Sequence, residues 1–190
     1  MKIYLDTIGC RLNQAEIEQM AQQFRAAGHT LAAEAAGADL AVVNTCAVTA
    51  EAVRQTRQAR GITLLANDDI LRGAKFADGI ARSPWPIELH AGAKPRVEWL
   101  LDDFYEVPYG CFVPQRGDGL LVAGRCLSAQ HEAVASARVT AQCFSYVHAV
   151  GHAAAMCLES GVEPRALAGA AVRDRLNRDG ARLDAETALA

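Results

Sequence analysis

Two short segments decide most of what this chain can become. Residues 2–7 (KIYLDT) alternate polar and apolar side chains and carry β-branched and aromatic residues, as a strand does. Residues 39–44 (DLAVVN) form a second, more apolar strand. Between them Ile17, Met20, Ala21 and Phe24 recur at three- and four-residue spacing, which predicts a helix from about Asn13 to Ala27 closed by Gly28. Thr49 caps a further polar helix from about Ala50 to Arg60. A strand, a crossover helix and a second strand make a right-handed βαβ unit with parallel strands. The predicted fold class is therefore α/β, a small parallel, Rossmann-like sheet with flanking helices. Cys10 and Cys46 follow the two strand ends, on the sheet edge where open α/β folds place their chemistry.

The remainder is predicted in less regular pieces. A helix over 67–81 is interrupted by Gly73 and Gly79, Ser83-Pro84-Trp85-Pro86 breaks the chain, and 91–98 reads as a surface loop. A strand pair is expected at 104–107 and 111–113. Leu120-Leu121-Val122-Ala123 is expected as a buried strand closed by Gly124. A long helix from about Glu132 to Glu159, ended by Gly161, and a last one from Glu163-Pro164 to about Asp179 make the C-terminal third helix-rich. Thirty-eight alanines and only 6% aromatics require a core of small aliphatic side chains.

A net charge of −3 excludes a global basic field of the kind that holds nucleic acid. The start MKIYLDTIGC lacks a basic, apolar leader, and no apolar run reaches about 18 residues. The expected compartment is the cytoplasm, with no membrane contact, where cysteines serve as thiols, metal ligands or redox groups.

Residues 1–58 resemble the N-terminal domain of radical-SAM tRNA methylthiotransferases, the threonylcarbamoyladenosine branch above all. The resemblance rests on Thr7-Ile8-Gly9-Cys10-Arg11-Leu12-Asn13-Gln14-Ala15-Glu16 and Asn44-Thr45-Cys46-Ala47-Val48-Thr49-Ala50-Glu51-Ala52, continued by Arg54 and Arg57-Gln58. It implies that Cys10 and Cys46 are ligands of a 4Fe–4S cluster, completed in the family by a third cysteine, and that tRNA is the partner. The CxxxCxxC triad of the radical-SAM half is absent, and Gly110-Cys111 copies only the Gly-Cys pair of the third ligand.

Residues 61–190 resemble the C-terminal part of bacterial FAD-dependent oxidoreductases. The strongest carriers are Leu120-Leu121-Val122-Ala123-Gly124-Arg125-Cys126-Leu127-Ser128, His131-Glu132-Ala133, Ser136-Ala137-Arg138-Val139 and Gly161-Val162-Glu163-Pro164-Arg165. The resemblance implies that this region closes over FAD, with Gly124, Arg125, Ser128, Arg138 and Val139 as cofactor-binding positions. A glycine lets backbone approach a cofactor, and a following helix start offers N–H groups to it. The family's GxGxxG turn is absent, and Val147 and His148 stand where the family usually has glycine and glutamine.

The domain division expected is 1–60 and 61–190, in a hybrid or truncated chain. Its first functional reading is an FAD-oxidoreductase-like fragment, not fully active alone. The second is an iron–sulfur, tRNA-modification fragment, and the third an inert folded product. In the flavin-like geometry the first unit's strands would also pair with 120–123. Of the remaining signals, His148 and His152 stand four apart on one helix face, a spacing that ligates a metal or simply lies on the polar face of a packed helix. His90 and His131 are candidate proton-transfer groups. Arg54, Arg57 and Arg60 line one helix and either meet tRNA phosphate or solvent. Cys111, Cys126, Cys143 and Cys157 lack metal spacing and read as small buried thiols.

Overall fold

The structure is a computed structural model that describes residues 1–8, 11–45, 60–89, 96–100 and 103–184. It divides into two compact units, Met1–Arg57 and Gln58–Ala190.

In the first unit β1 (Lys2–Ile8) leads into α1 (Arg11–Ala26), and Gly28 turns the chain back at a positive φ of 81°. A left-handed residue at a helix end favours glycine because it has no Cβ to clash. β2 (Thr30–Ala32) and β3 (Leu40–Thr45) follow. The sheet is wholly parallel, in the order β2-β1-β3, and β1 and β3 pair from Ile3↔Leu40 to Ile8↔Thr45. Ile3 and Ile17 are buried, as the alternation of β1 and the helical period of α1 require. The expected βαβ unit is present, with β2 as an additional strand. The helix expected over 50–60 lies outside the described residues.

The second unit carries α2 (Asn67–Leu71), β4 (Gly79–Ser83), β5 (Ile87–Leu89), β6 (Arg96–Glu98) and β7 (Tyr105–Pro108). Then come α3 (His131–Ala137), α4 (Thr140–Ser160) and α5 (Gly169–Arg178). β4 pairs antiparallel with β7, and β5 with β6. Leu65, Ile70, Ile80, Tyr105, Val107, Phe112, Leu127, Tyr146, Val172 and Leu176 form one buried core. Close approaches are made at glycines: a Cβ on Gly169 would lie 2.7 Å from the Tyr109 Cβ, so α5 can start there only with glycine.

Several expectations are corrected. Residues 120–123 form no strand. Gly117, Gly119 and Gly124 all have positive φ around this run, Leu120 is exposed, and Val122 N–H donates to the Phe112 carbonyl instead. The 67–81 helix stops at Leu71, because Gly73 adopts a φ of 62°. β7 pairs with β4, and 109–112 is a 3-10 turn. Residues 96–98, expected in a loop, are strand β6. The helix expected over 132–159 is two helices, broken where Val139 is extended (φ −68°, ψ 140°). The last helix begins as a 3-10 turn at Pro164 and becomes α-helical only at Gly169.

Candidate functional site

The break between α3 and α4 builds the corner that the flavin resemblance points to. Gly124 has a φ of 76°, and a Cβ placed there would have no atom of the described residues within 4 Å, so the turn is open on that side. Arg125 follows it, exposed, and its Nε donates to the Arg138 carbonyl at 3.1 Å. That bond ties the turn to the residue just before α4. Arg138 is also exposed, and Val139 is the N-cap of α4 with no side-chain capping bond.

The neighbouring helix start differs. Asn67 Oδ1 accepts the Ala133 N–H at 2.9 Å and so caps α3 from another segment. Among the described residues no side chain caps the start of α4 in this way, so its first-turn N–H groups, the positive end of its dipole and two nearby arginines are available to a partner. Four of the five expected cofactor positions, Gly124, Arg125, Arg138 and Val139, thus converge. The fifth, Ser128, is 1% exposed and lies in the core layer. Its N–H donates to Cys111 O and its carbonyl accepts from Leu65 N–H. Its Oγ has no hydrogen-bond partner among the described residues.

The thiols around this corner are not poised to ionise. Burial pushes the Cys111 thiol up to about 12, and burial also raises Cys126 and Cys143. Arg125 opposes the rise at Cys143, but burial outweighs it. All four cysteines of this unit are free; Cys111 and Cys157 are buried, as the sequence reading expects, whereas Cys126 and Cys143 are only half-buried. His131 opens α3 and is exposed. His90, Arg54 and Arg57 lie outside the described residues, and Arg60 is exposed.

In the first unit Cys10 and Cys46 also lie outside the described residues. Parts of the two motifs, among them Asn13, Glu16 and Asn44, are described. Asn13 Nδ2 donates to Asn44 Oδ1 at 3.2 Å, and Asn44 Nδ2 donates to Glu16 Oε2 at 2.8 Å. One motif is thereby bonded to the other through side chains that the sequence reading quoted but assigned no role. Their signal was there: three polar residues at fixed places in the two motifs. Among the described residues no three His, Cys, Asp or Glu side chains converge as a metal group. A concavity of about 480 Å³ runs along β2, lined among others by Lys2, Thr30, Leu31 and Gly37, and holds none of the candidate residues.

Comparison with known proteins fixes the family. The FAD dependent oxidoreductase family matches residues 4–176, starting within β1 and continuing through most of α5. The chain belongs to that family. Beside this, short stretches are similar to methylthiotransferases. The ribosomal protein uS12 methylthiotransferase RimO of Roseiflexus castenholzii is 46% identical over 56 residues, 30% of this chain and 12% of the relative. The tRNA-2-methylthio-N(6)-dimethylallyladenosine synthase of Dehalococcoides mccartyi is 49% identical over 45 residues, 24% of this chain and 11% of the relative. The threonylcarbamoyladenosine tRNA methylthiotransferase MtaB of Aquifex aeolicus is 37% identical over 59 residues, 31% of this chain and 14% of the relative. The chain thus spans 11–14% of the length of these three curated relatives. No solved structure matches it.

Membership in the FAD dependent oxidoreductase family implies FAD, and the corner can be tested for it. An open left-handed glycine, an uncapped helix start and two exposed arginines fit a phosphate or the electron-rich edge of a flavin. They do not amount to a pyrophosphate cradle, since the sequence carries no GxGxxG. Among the described residues no helix is long and apolar enough to cross a membrane.

Proposed function

We propose that this chain is a hybrid of two parts, divided at 1–60 and 61–190, whose larger part is the flavin-facing portion of an FAD-dependent oxidoreductase. The observation that carries the reading is the uncapped start of α4, with the Arg125 guanidinium fixed onto the Arg138 carbonyl behind the open turn at Gly124. Bound FAD would supply two-electron redox chemistry there. The α4 N–H groups would orient its polar edge. Arg125 and Arg138 would neutralise negative charge on it, Gly124 would let the backbone approach, and Val139 would pack beside it. Ser128 Oγ, buried without a partner among the described residues, is a hydroxyl that a rearrangement on loading would satisfy, at a gain of about 1–3 kcal/mol. Lacking the fingerprint glycines, the chain holds FAD more weakly than a complete oxidoreductase, and full catalysis requires more than this chain supplies. The setting is cytoplasmic, where its thiols stay reduced.

A second reading is favoured by the Asn13–Asn44–Glu16 bonds, which join the two cysteine-bearing motifs. On it, Cys10 and Cys46 contribute to a 4Fe–4S cluster and the first part serves tRNA modification. One absorbance spectrum of anaerobically purified protein distinguishes the two. Flavin bands support the first reading, and a broad iron–sulfur shoulder bleached by dithionite supports the second. A colourless protein that takes up neither added FAD nor iron and sulfide leaves the inert folded product.

A further inference from the structure

On α4, His148 and His152 stand one turn apart, so both rings lie on one face. Their Nε2 atoms are 3.2 Å apart, and the rings cross at 82° with centroids 4.7 Å apart. A tetrahedral metal bound at about 2.0–2.1 Å from each nitrogen requires a nitrogen–nitrogen separation of about 3.3 Å. The pair therefore already has the bite of a chelate.

A second observation aims it. His152 Nδ1 lies 3.4 Å from Asp179 Oδ2, across on the far end of α5. Asp179 is in turn held by Arg175 Nε at 2.9 Å, and Arg175 also faces Glu159 at 3.6 Å. A carboxylate beside Nδ1 favours the proton there by charge and so the tautomer whose Nε2 lone pair is free, a looser form of the carboxylate–histidine pairing that orients metal-bound histidines. With that tautomer of His152, the metal-free pair is joined by His148 Nε2–H donating to His152 Nε2. A metal takes the place of that one proton, and His148 carries its proton on Nδ1 instead.

We propose that His148 and His152 form a two-histidine chelate for a divalent transition metal such as Zn²⁺, Ni²⁺ or Cu²⁺, with Asp179 as its positioning residue. Two imidazoles select these ions over Mg²⁺ and Ca²⁺, which prefer oxygen. His148 is exposed, and a Cβ on Gly151, three residues on, would have no described atom within 4 Å, so among the described residues a hydrated ion has room. With no third His, Cys, Asp or Glu converging among the described residues, water fills the other positions and the ion exchanges readily.

The test is a Zn²⁺ titration of the full chain followed by the ring resonances of individual histidines in NMR spectra, which separates this site from any thiolate binding. Expected are saturable shifts confined to His148 and His152, lost in His148→Ala and in His152→Ala. Asp179→Asn should weaken binding about tenfold and shift the His152 tautomer balance, with the far-ultraviolet circular dichroism unchanged. Rings that do not respond to Zn²⁺, or a His152 ring that binds with undiminished affinity in His148→Ala, would overturn the proposal.

Discussion

Glu106 is 2% exposed, and a carboxylate in such a place is stable only if donors surround it. Phe76 N–H reaches it at 2.8 Å and Arg173 Nη2 at 2.9 Å, while Arg173 Nη1 also donates to the Gly79 carbonyl at 2.7 Å. Arg173→Ala leaves that charge buried and unpaired, and should cost about 3–5 kcal/mol in urea unfolding. Arg175→Ala removes the Asp179 pair, in which both side chains are more than a third exposed, and should cost less than about 1 kcal/mol. Equal losses from the two would show that burial does not set the balance.

Cys111 gives a pH dependence at the same scale. Burial pushes its thiol from 9.0 up to about 12 in the folded chain. Above pH 9 the unfolded chain loses this proton while the folded one keeps it, so the thiol's contribution is complete below pH 9 and lost as pH rises toward 12. Its share of the unfolding free energy should fall by about 1.4 kcal/mol per pH unit in that window. Comparing Cys111→Ser with the parent at pH 8 and pH 10.5 isolates it: the gap between them should narrow at the higher pH.

At the scale of elements, the α3–α4 break is the decisive feature, and Asn67 holds the opposite, N-terminal end of α3. Its Oδ1 caps α3, so Asn67→Ala should lower stability by about 1 kcal/mol, read as a lower Tm. The break itself was not legible in the sequence, because Arg138-Val139 contains neither glycine nor proline. The elements that were legible have unambiguous periods: β1 and β3 alternate or run apolar, and α1 repeats at three to four residues and stops at Gly28. Residues 120–123 were misread because four apolar residues fit strand or loop equally, and the left-handed glycines around them decide. β2 was missed because Thr30-Leu31-Ala32 sits among alanines with no contrast of polarity. Of the candidate site, Gly124, Arg125, Arg138 and Val139 came from resemblance alone, and their convergence depends on a helix break that no local pattern announces. Ser128 followed from the same motif, yet its backbone bonds to Leu65 and Cys111 hold it in the core.

Over the whole molecule, the FAD dependent oxidoreductase match runs from residue 4 to 176 and so takes in strands of both compact units. The methylthiotransferase likeness, at 46% identity over 56 residues, is sharper but far shorter. Length of match favours flavin chemistry; the sharper motifs describe how the first unit is built. The most direct measurement is an anaerobic FAD titration of the full chain, followed by flavin fluorescence, with the Arg125→Ala/Arg138→Ala double variant alongside. Saturable quenching in the parent, at least about tenfold weaker in the double variant, is the expected result, since one lost charge-assisted bond alone is worth about 1.5–3 kcal/mol. No saturable binding to the parent, or equal binding by both proteins, would contradict a flavin held at the start of α4.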